Sequence, residues 1–372
     1  MFSSRRNFLG LVGTGLLLGH SRLLKAQQST AMSPLEPVAP FPGRSKVALI
    51  HGQERRKIVH DALVAIDDQI RPRLERKKYV IIKPNGVSVR NPLASTGPDA
   101  VRGILEYLAP RFKGPVVIAE SSAENTLEFY ENRQYNRLLE EYGKTKLSLV
   151  DLNREAKYQT IPLIDFDLHV VPVRLAARLL DPDAFVICAA VMKTHNTVVA
   201  TLSVKNMVLG APLHNAPGET PAWSDKRKFH VGIRQTNYNM LLTAQKLEPN
   251  WGAAVIDGFE GMEGNGPGGG TPVPSRIAIA STDYIAADRV ALETMGINPA
   301  WAGYLAYCGQ VGLGQYDLAK IDVLGASIAS VKRNYRLHSD IQRQLQWMGP
   351  MEGLPPILGE LPQENSSVYA AS

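Results

Sequence analysis

Cysteine is scarce in this chain. Among 372 residues there are only two, Cys188 and Cys308. Two thiols allow at most one disulfide and cannot supply the four cysteine ligands that an iron–sulfur cluster usually takes. Cys188 lies in an apolar run, Ala184 to Ala190, and Cys308 ends an aromatic-rich segment. We therefore expect two inert core thiols and no iron–sulfur cluster.

Several motifs that mark cofactor or catalytic sites are also missing. The chain has no Walker loop, no G-x-S-x-G elbow, no H-E-x-x-H pair and no G-x-G-x-x-G placed between a strand and a helix. The commonest sequence motifs of nucleotide-binding proteins and serine hydrolases are therefore absent. A divalent metal stays open as a cofactor, but its site would have to be assembled from distant segments.

The excess of positive charge belongs mostly to the start of the chain. The formal net charge is +6, but residues 1–26 contain four basic residues and no acidic one. The rest of the chain has 37 basic and 35 acidic residues. A surface that tracks nucleic-acid phosphates needs a retained basic excess. We therefore expect no nucleic-acid partner.

Residues 1–26 resemble a twin-arginine signal peptide. Arg5 and Arg6 precede an apolar run that is too short to span a bilayer. We expect export to the periplasm or another exported location by the twin-arginine machinery, cleavage near Ala26, and no stable membrane insertion afterwards. An uncleaved N-terminal anchor is the alternative. Residues 27–45, rich in Gln, Ser and Pro, are interpreted as a linker.

Apolar strands alternate with amphipathic helices over residues 46–326. This alternation predicts an α/β domain with a mostly parallel sheet and helices on both faces. Residues 158–173 alternate weakly and are interpreted as an extra hairpin. A long glycine-rich loop, residues 257–275, is expected to lie over the carboxyl-terminal edge of the strands. Residues 327–372 are interpreted as a C-terminal tail.

Polar side chains follow five of the predicted strands. Ligands in open parallel sheets bind at the carboxyl ends of the strands. Each position alone is consistent with ordinary loop polarity, but their recurrence predicts one shared site. In chain order they are Lys83 and Asn85, Glu120 and Ser121, Lys193 and His195, Asp257, and Asp283.

Two charged residues interrupt apolar helix faces. If residues 197–209 are helical, Lys205 lies in an apolar stripe, and Asp288 interrupts a similar stripe on a later helix. An unpaired buried charge is strongly destabilising, so two interpretations stay open. Lys205 and Asp288 form an interior ion pair, or Lys205 faces an anionic ligand while Asp288 or Asp283 sets its protonation.

The ordered series of motifs resembles the family called domain of unknown function 362. The match runs over about residues 46–326 and rests on the whole series. It consists of Lys83-Pro84-Asn85, Glu120-Ser121, Lys193-Thr194-His195, Lys205-Asn206, Asp257-Gly258, Glu263-Gly264-Asn265-Gly266-Pro267, Ser281-Thr282-Asp283 with Asp288, and Gly312-Leu313-Gly314. The resemblance implies a bacterial or archaeal α/β protein without an established activity. Some relatives carry ferredoxin-type cysteine clusters, which this chain lacks.

Candidate roles follow from residue type and from the resemblance. Lys205, His195 and Lys193 are the candidate catalytic residues, because a buried lysine acts as base or nucleophile and histidine carries protons. The candidate ligand- or cofactor-binding residues are Lys83, Asn85, Glu120, Ser121, Asn206, Gly264, Asn265 and Gly266. The candidate ligands of a divalent metal are Asp257, Glu263, Asp283 and Asp288.

The candidate residues predict an exported enzyme or cofactor-dependent protein. Three lysines complement the charge of a small anionic ligand that bears a carboxylate or a phosphate. The alternative is a non-catalytic exported protein that binds a metal or an anion. A structural module, with Lys205 and Asp288 paired and closed off from solvent, is the third possibility.

Overall fold

Most strands of this chain join one central sheet. The structure, a computed structural model, describes residues 41–143, 146–215, 217 and 224–349. The predicted signal peptide, most of the predicted linker and the end of the predicted tail lie outside the described residues. The described residues fall within one unit, Ala39–Ser372.

The sheet is mixed but mainly parallel. The strands are β1 (Ser45–His51), β2 (Tyr79–Lys83), β3 (Val116–Glu120), β4 (Leu147–Asp151), β5 (Tyr158–Ile164), β6 (Val170–Ala176), β7 (Ala184–Thr194), β8 (Ala200–Thr201), β9 (Trp251–Glu263), β10 (Thr271–Val273), β11 (Ile277–Ser281) and β12 (Ile321–Gly325). The central order is β12-β1-β11-β9-β7-β2-β3-β4, with β8 on β7 and β10 on β9. In this order β11 runs antiparallel to both neighbours, and the other pairings are parallel.

Helices cover both faces of the sheet, as predicted. They are α1 (Arg55–Val64), α2 (Asp67–Leu74), α3 (Pro98–Leu108), α4 (Thr126–Asn132), α5 (Asn136–Tyr142), α6 (Leu152–Glu155), α7 (Ser203–Gly210), α8 (Ile233–Leu247), α9 (Tyr284–Thr294), α10 (Gly303–Gln310), α11 (Ile328–Val331) and α12 (Ile341–Leu345). None of the helices in the described part of the chain is both long and apolar enough to cross a membrane.

Side-chain alternation along the strands divides the interior into two apolar cores. Val80 and Ile82 of β2 pack in the core that contains the buried residues of α1–α5. Ile81 points to the opposite core, which contains the buried residues of α6–α12. Because successive strand residues face opposite sides, a strand covered by helices on both faces is apolar throughout. β7 shows this pattern over residues 184–192, and its last two residues, Lys193 and Thr194, are also buried.

Two predicted segments differ from the structure. The predicted helix over residues 197–209 is wrong at its start, because β8 occupies Ala200–Thr201 and α7 begins at Ser203. The predicted loop over residues 257–275 is mostly strand, because β9 continues to Glu263 and pairs with β10. The glycine-rich connection between them is therefore short. The extra hairpin predicted over residues 158–173 is confirmed as the antiparallel pair β5–β6.

The antiparallel direction of β11 separates two groups of predicted site residues. The carboxyl ends of β2, β3, β7 and β9 lie along one edge, while Ser281 at the end of β11 pairs with Ala254 near the start of β9. The expectation that Asp283 shares an edge with Lys83 and Lys193 is therefore wrong. Its carboxylate instead caps α9, accepting hydrogen bonds from the backbone N–H groups of Ile285 and Ala286.

We predict that Asp283→Ala lowers the free energy of unfolding by about 2 kcal/mol, the usual size for a helix cap with further hydrogen bonds. The second carboxylate oxygen accepts bonds from the Ser45 hydroxyl and the Gln315 N–H, which the variant also leaves unpaired. Urea unfolding measures the loss. Asp99→Ala, an exposed acid in the first turn of α3, is the control and should change stability little. Equal stability of the two variants would contradict the structural role of Asp283.

Candidate functional site

A cavity of about 250 Å³ opens at the carboxyl ends of β2, β3 and β7. We call it the lysine cavity. It is lined by Lys83, Asn85, Gly86, Val87, Glu120, Ser121, Ala123, His195, Asn196, Lys205, Asn206, Leu209, Gly210, Lys226, His230 and Pro267. The prediction that polar side chains meet at this edge holds for seven of the positions named from the sequence. They are Lys83, Asn85, Glu120, Ser121, His195, Lys205 and Asn206.

Lys83 and Glu120 form a buried ion pair at the base of the lysine cavity. The Lys83 ammonium lies 3.0 and 3.1 Å from the two carboxylate oxygens and also donates to the Asn206 side-chain oxygen at 3.1 Å. Glu120 accepts two more bonds, from the backbone N–H groups of Gly86 and Ser121. Both side chains are almost fully buried. Their charges are therefore satisfied by each other and by these hydrogen bonds.

Asp288 holds α7 in place from the neighbouring helix α9. Its carboxylate accepts hydrogen bonds from the backbone N–H groups of Ser203 and Val204 and from the Ser203 hydroxyl. These are orphan donors of the first turn of α7, which an acid stabilises. Burial raises the pKa of Asp288 to about 7. The alternative of an interior Lys205–Asp288 ion pair is therefore wrong, because Asp288 is a helix cap.

Lys205 faces the lysine cavity from α7. Only 6% of the residue is exposed, and its ammonium makes no hydrogen bond or ion pair with any residue that the structure describes. Its pKa is lowered to about 8, mainly by burial and then by the nearby Lys83, while Glu120 opposes the shift. A buried cation without a partner is unfavourable, so this position favours a bound anion or loss of the proton.

Lys226 also lines the lysine cavity, and the sequence did not identify it. It lies in a short 3-10 helix, Asp225–Phe229, anchored where Asp225 pairs with Arg174. Its side chain donates to the Ser121 hydroxyl oxygen at 2.8 Å and to the Leu209 carbonyl at 2.9 Å. Burial lowers its pKa to about 7, with Glu120 opposing and the other lysines adding to the shift. In the sequence it stands among polar residues that show no apolar periodicity, so the sequence gives no sign that Lys226 is buried.

His195 presents a hydrogen-bond donor to the lysine cavity. Its Nδ1 accepts the backbone N–H of Thr197 at 3.0 Å, so the proton of the neutral imidazole lies on Nε2. Burial, followed by the charge of Lys205, lowers the pKa of His195 well below its usual value. The ring is therefore neutral at physiological pH and donates through Nε2.

Lys193 lies behind the cavity rather than in its lining. Its ammonium donates to the backbone carbonyls of Ala94 and Pro267 and is fully buried. Burial and the charge of Lys205 lower its pKa well below the usual value. These contacts hold the loop after β9 against the segment before α3, which gives Lys193 a structural role.

The predicted glycine-rich residues do not line the lysine cavity. Gly264 accepts a hydrogen bond from the Thr194 hydroxyl, and the Asn265 side chain accepts one from the Ser339 N–H. Gly266 lies so close to the Thr194 backbone that a Cβ would collide with it. These residues pack β7 against the C-terminal segment, so the structure shows a packing function for them.

The four predicted metal ligands do not come together. Asp257 pairs with Arg55 at 3.2 Å, and Glu263 accepts the backbone N–H of Arg336. Asp283 and Asp288 cap α9 and α7. Within the described ranges, no group of three or more His, Cys, Asp and Glu side chains is arranged to hold a metal ion. The predicted metal set is therefore wrong as a cluster, because its members lie on different edges and faces.

Comparison with known proteins gives a family but no activity. The family described as "Domain of unknown function (DUF362)" matches residues 80–293. A search of curated proteins gave no match. A solved structure of a protein from Thermotoga maritima is similar at 8% identity and a TM-score of 0.38, covering 56% of this chain and 51% of its own. This chain thus spans about half the length of that protein, and no functional inference follows from so weak a likeness.

We predict that Gly210→Ala disturbs the base of the lysine cavity. A Cβ at residue 210 would collide with the Lys83 ammonium, which has no room to move without leaving Glu120. Breaking a buried ion pair costs about 3 kcal/mol, which we expect to measure by urea unfolding. Gly268→Ala is the matched control, because a Cβ there meets no atom within 4 Å. A fully stable Gly210→Ala variant would show that Lys83 is not held by this contact.

Proposed function

The chain belongs to the family described as a domain of unknown function (DUF362), and we propose that its lysine cavity binds a small anionic ligand bearing a carboxylate or a phosphate. The observation that carries the proposal is the charge of the lining. Lys83, Lys205 and Lys226 line the cavity, whereas Glu120 is the one acidic side chain among the described lining residues. Because Glu120 is already paired with Lys83, the remaining lysines lack a counter-charge.

Lys205 is the residue through which the cavity recognises the anion. Its ammonium has no partner within the described chain. Burial penalises an unpaired positive charge, and a bound anion would supply the missing counter-charge. His195 adds an uncharged N–H donor, which suits an oxygen of the same ligand. The cavity volume of about 250 Å³ lies just below the usual range for drug-sized ligands, which indicates a small molecule.

A lysine that titrates near neutral pH favours an enzyme over a passive binding protein. The pKa of about 8 at Lys205 allows the side chain to give or take a proton at physiological pH. A site used only for anion binding gains nothing from a lysine that is partly neutral. We therefore propose proton transfer at the bound ligand as the reaction class.

We predict that the wild-type protein binds sulfate and oxalate and that Lys205→Met weakens both about tenfold, equivalent to one charge-assisted hydrogen bond. Affinity should fall as pH rises through about 8, because Lys205 must be protonated to pair with the anion. Titration calorimetry at pH 8 in buffers of different ionisation enthalpy should show proton uptake on binding. Sulfate is a suitable probe because it does not titrate in this range.

The matched control is Lys246→Met, which removes an exposed lysine on α8. It should leave affinity, pH dependence and proton uptake unchanged. Glu120, Lys226, Lys83, His195 and His230 also face the site, so the pH profile is compared between wild type and Lys205→Met. Equal affinity in these two proteins, or proton release on binding, would overturn the proposed role of the cavity.

We also propose that the chain is exported by the twin-arginine route, on the pattern of Arg5 and Arg6 before an apolar run. Changing both residues to lysine is expected to block export while leaving the folded domain unaffected, because the receptor reads the arginine pair. Fractionation of cells followed by immunoblotting measures the exported share. Arg22→Lys in the same segment is the control, and undiminished export of the double variant would refute the route.

A further inference from the structure

The four buried lysines near the lysine cavity differ in what their amino groups contact. Lys83 is paired with a carboxylate, and Lys193, which is not a lining residue, donates to two backbone carbonyls. Lys205 has no partner among the described residues. Lys226 has two acceptors, the Ser121 hydroxyl oxygen and the Leu209 carbonyl, and both are uncharged. No acidic group contacts it within the described chain, and Glu120, which lies nearby, opposes only part of the lowering of its pKa.

We propose that Lys226 is a nucleophilic amine that forms an imine with a small carbonyl compound carrying an anionic group, such as a 2-oxo acid. This inference rests on the proposed anion binding, because Lys205 supplies the positive charge that holds the anionic group. It adds a covalent step and a substrate class to that site.

The hydrogen bonds of Lys226 match a neutral amine. A neutral amine has two N–H donors and one lone pair, and the two acceptors satisfy both donors. The lone pair is then left without a hydrogen-bond donor from the described residues, and the side chain lines the cavity. This arrangement presents the nitrogen to a bound ligand, whereas the ammonium of Lys83 is fully occupied.

Burial makes the neutral form abundant. The pKa of Lys226 is lowered to about 7, whereas an exposed lysine has a pKa of about 10.4. At pH 7.5 the neutral fraction of Lys226 is therefore a few hundred times that of an exposed lysine. Desolvation in an apolar site or beside other cations is an established way to activate a lysine nucleophile.

The reaction is balanced with groups present in the cavity. The Lys226 nitrogen attacks the carbonyl carbon, a C–N bond forms, and the carbonyl oxygen takes up the proton that nitrogen loses. The hydroxyl of this carbinolamine then leaves as water with a proton from the Lys205 ammonium. The products are a protonated imine on Lys226, one water molecule and a neutral Lys205. The positive charge moves from one lysine to the other, so the cavity keeps its net charge.

Borohydride trapping tests the inference, since it reduces an imine to a stable secondary amine. The full chain is incubated with glyoxylate at pH 7.5, reduced, and analysed by intact mass and peptide mapping. We expect one adduct on Lys226, formed at least about tenfold faster than on the exposed Lys246, given their neutral fractions. Acetate should slow trapping by competing for Lys205. Acetaldehyde, which has the carbonyl without the anion, should label Lys226 much more slowly.

Two variants separate this inference from the proposed function. Lys226→Arg replaces the amine with a guanidinium, which cannot form an imine, so the adduct at residue 226 should be lost. Lys205→Met should bind sulfate about tenfold more weakly and should label slowly. Sulfate binding by the wild type without any adduct on Lys226 would overturn the imine and leave anion binding standing. Absence of sulfate binding and of the adduct would overturn the imine and the proposed function together.

The distribution of the glyoxylate label in the wild-type protein is a further test, which does not depend on the folding of a variant. A label spread evenly over exposed lysines would also refute the imine.

Discussion

The hydrogen bonds that Asp288 accepts from the first turn of α7 are the contact on which the lysine cavity depends. They fix the start of a short helix that follows directly after β8, and that helix carries Lys205 and Asn206. Asn206 in turn accepts the Lys83 ammonium, so one cap orients two of the cavity lysines. Asp288 itself is fully buried, and no cation among the described residues pairs with it. Its charge is stabilised by helix N–H groups, which leaves Lys205 without an acidic partner.

Several lysines are buried around one carboxylate, and the contacts of the amino group differ from one lysine to the next. Lys83 is neutralised by Glu120, and Lys193 is solvated by backbone carbonyls. Lys205 and Lys226 have no acidic contact in the described chain, and burial lowers the pKa of each. Buried amines with shifted pKa values are typical of functional sites, because structural positions rarely keep an unpaired charge.

Hydrophobic periodicity is enough to predict the sheet and its two helical layers, since β7 is apolar over residues 184–192. It does not encode strand direction. The direction of β11 decides where Asp283 lies, and the sequence placed it on the wrong edge. Lys205 was found because it interrupts an apolar stripe. Lys226 was missed because its burial comes from long-range packing, in which Asp225 meets Arg174 and the lysine reaches Ser121.

Two adjacent residues at the end of β3 assign different states to two lysines. Glu120 is a charged acceptor and forms an ion pair with Lys83, whereas Ser121 is a neutral acceptor and favours the charged form of Lys226 less than a carboxylate would. Because both acceptors lie on consecutive residues, the ammonium and the amine are held on one rigid strand end. In the proposed reaction Lys205 holds the anionic group and Lys226 supplies the neutral amine, whereas Lys83 is already paired with Glu120 and takes no part in binding the anion.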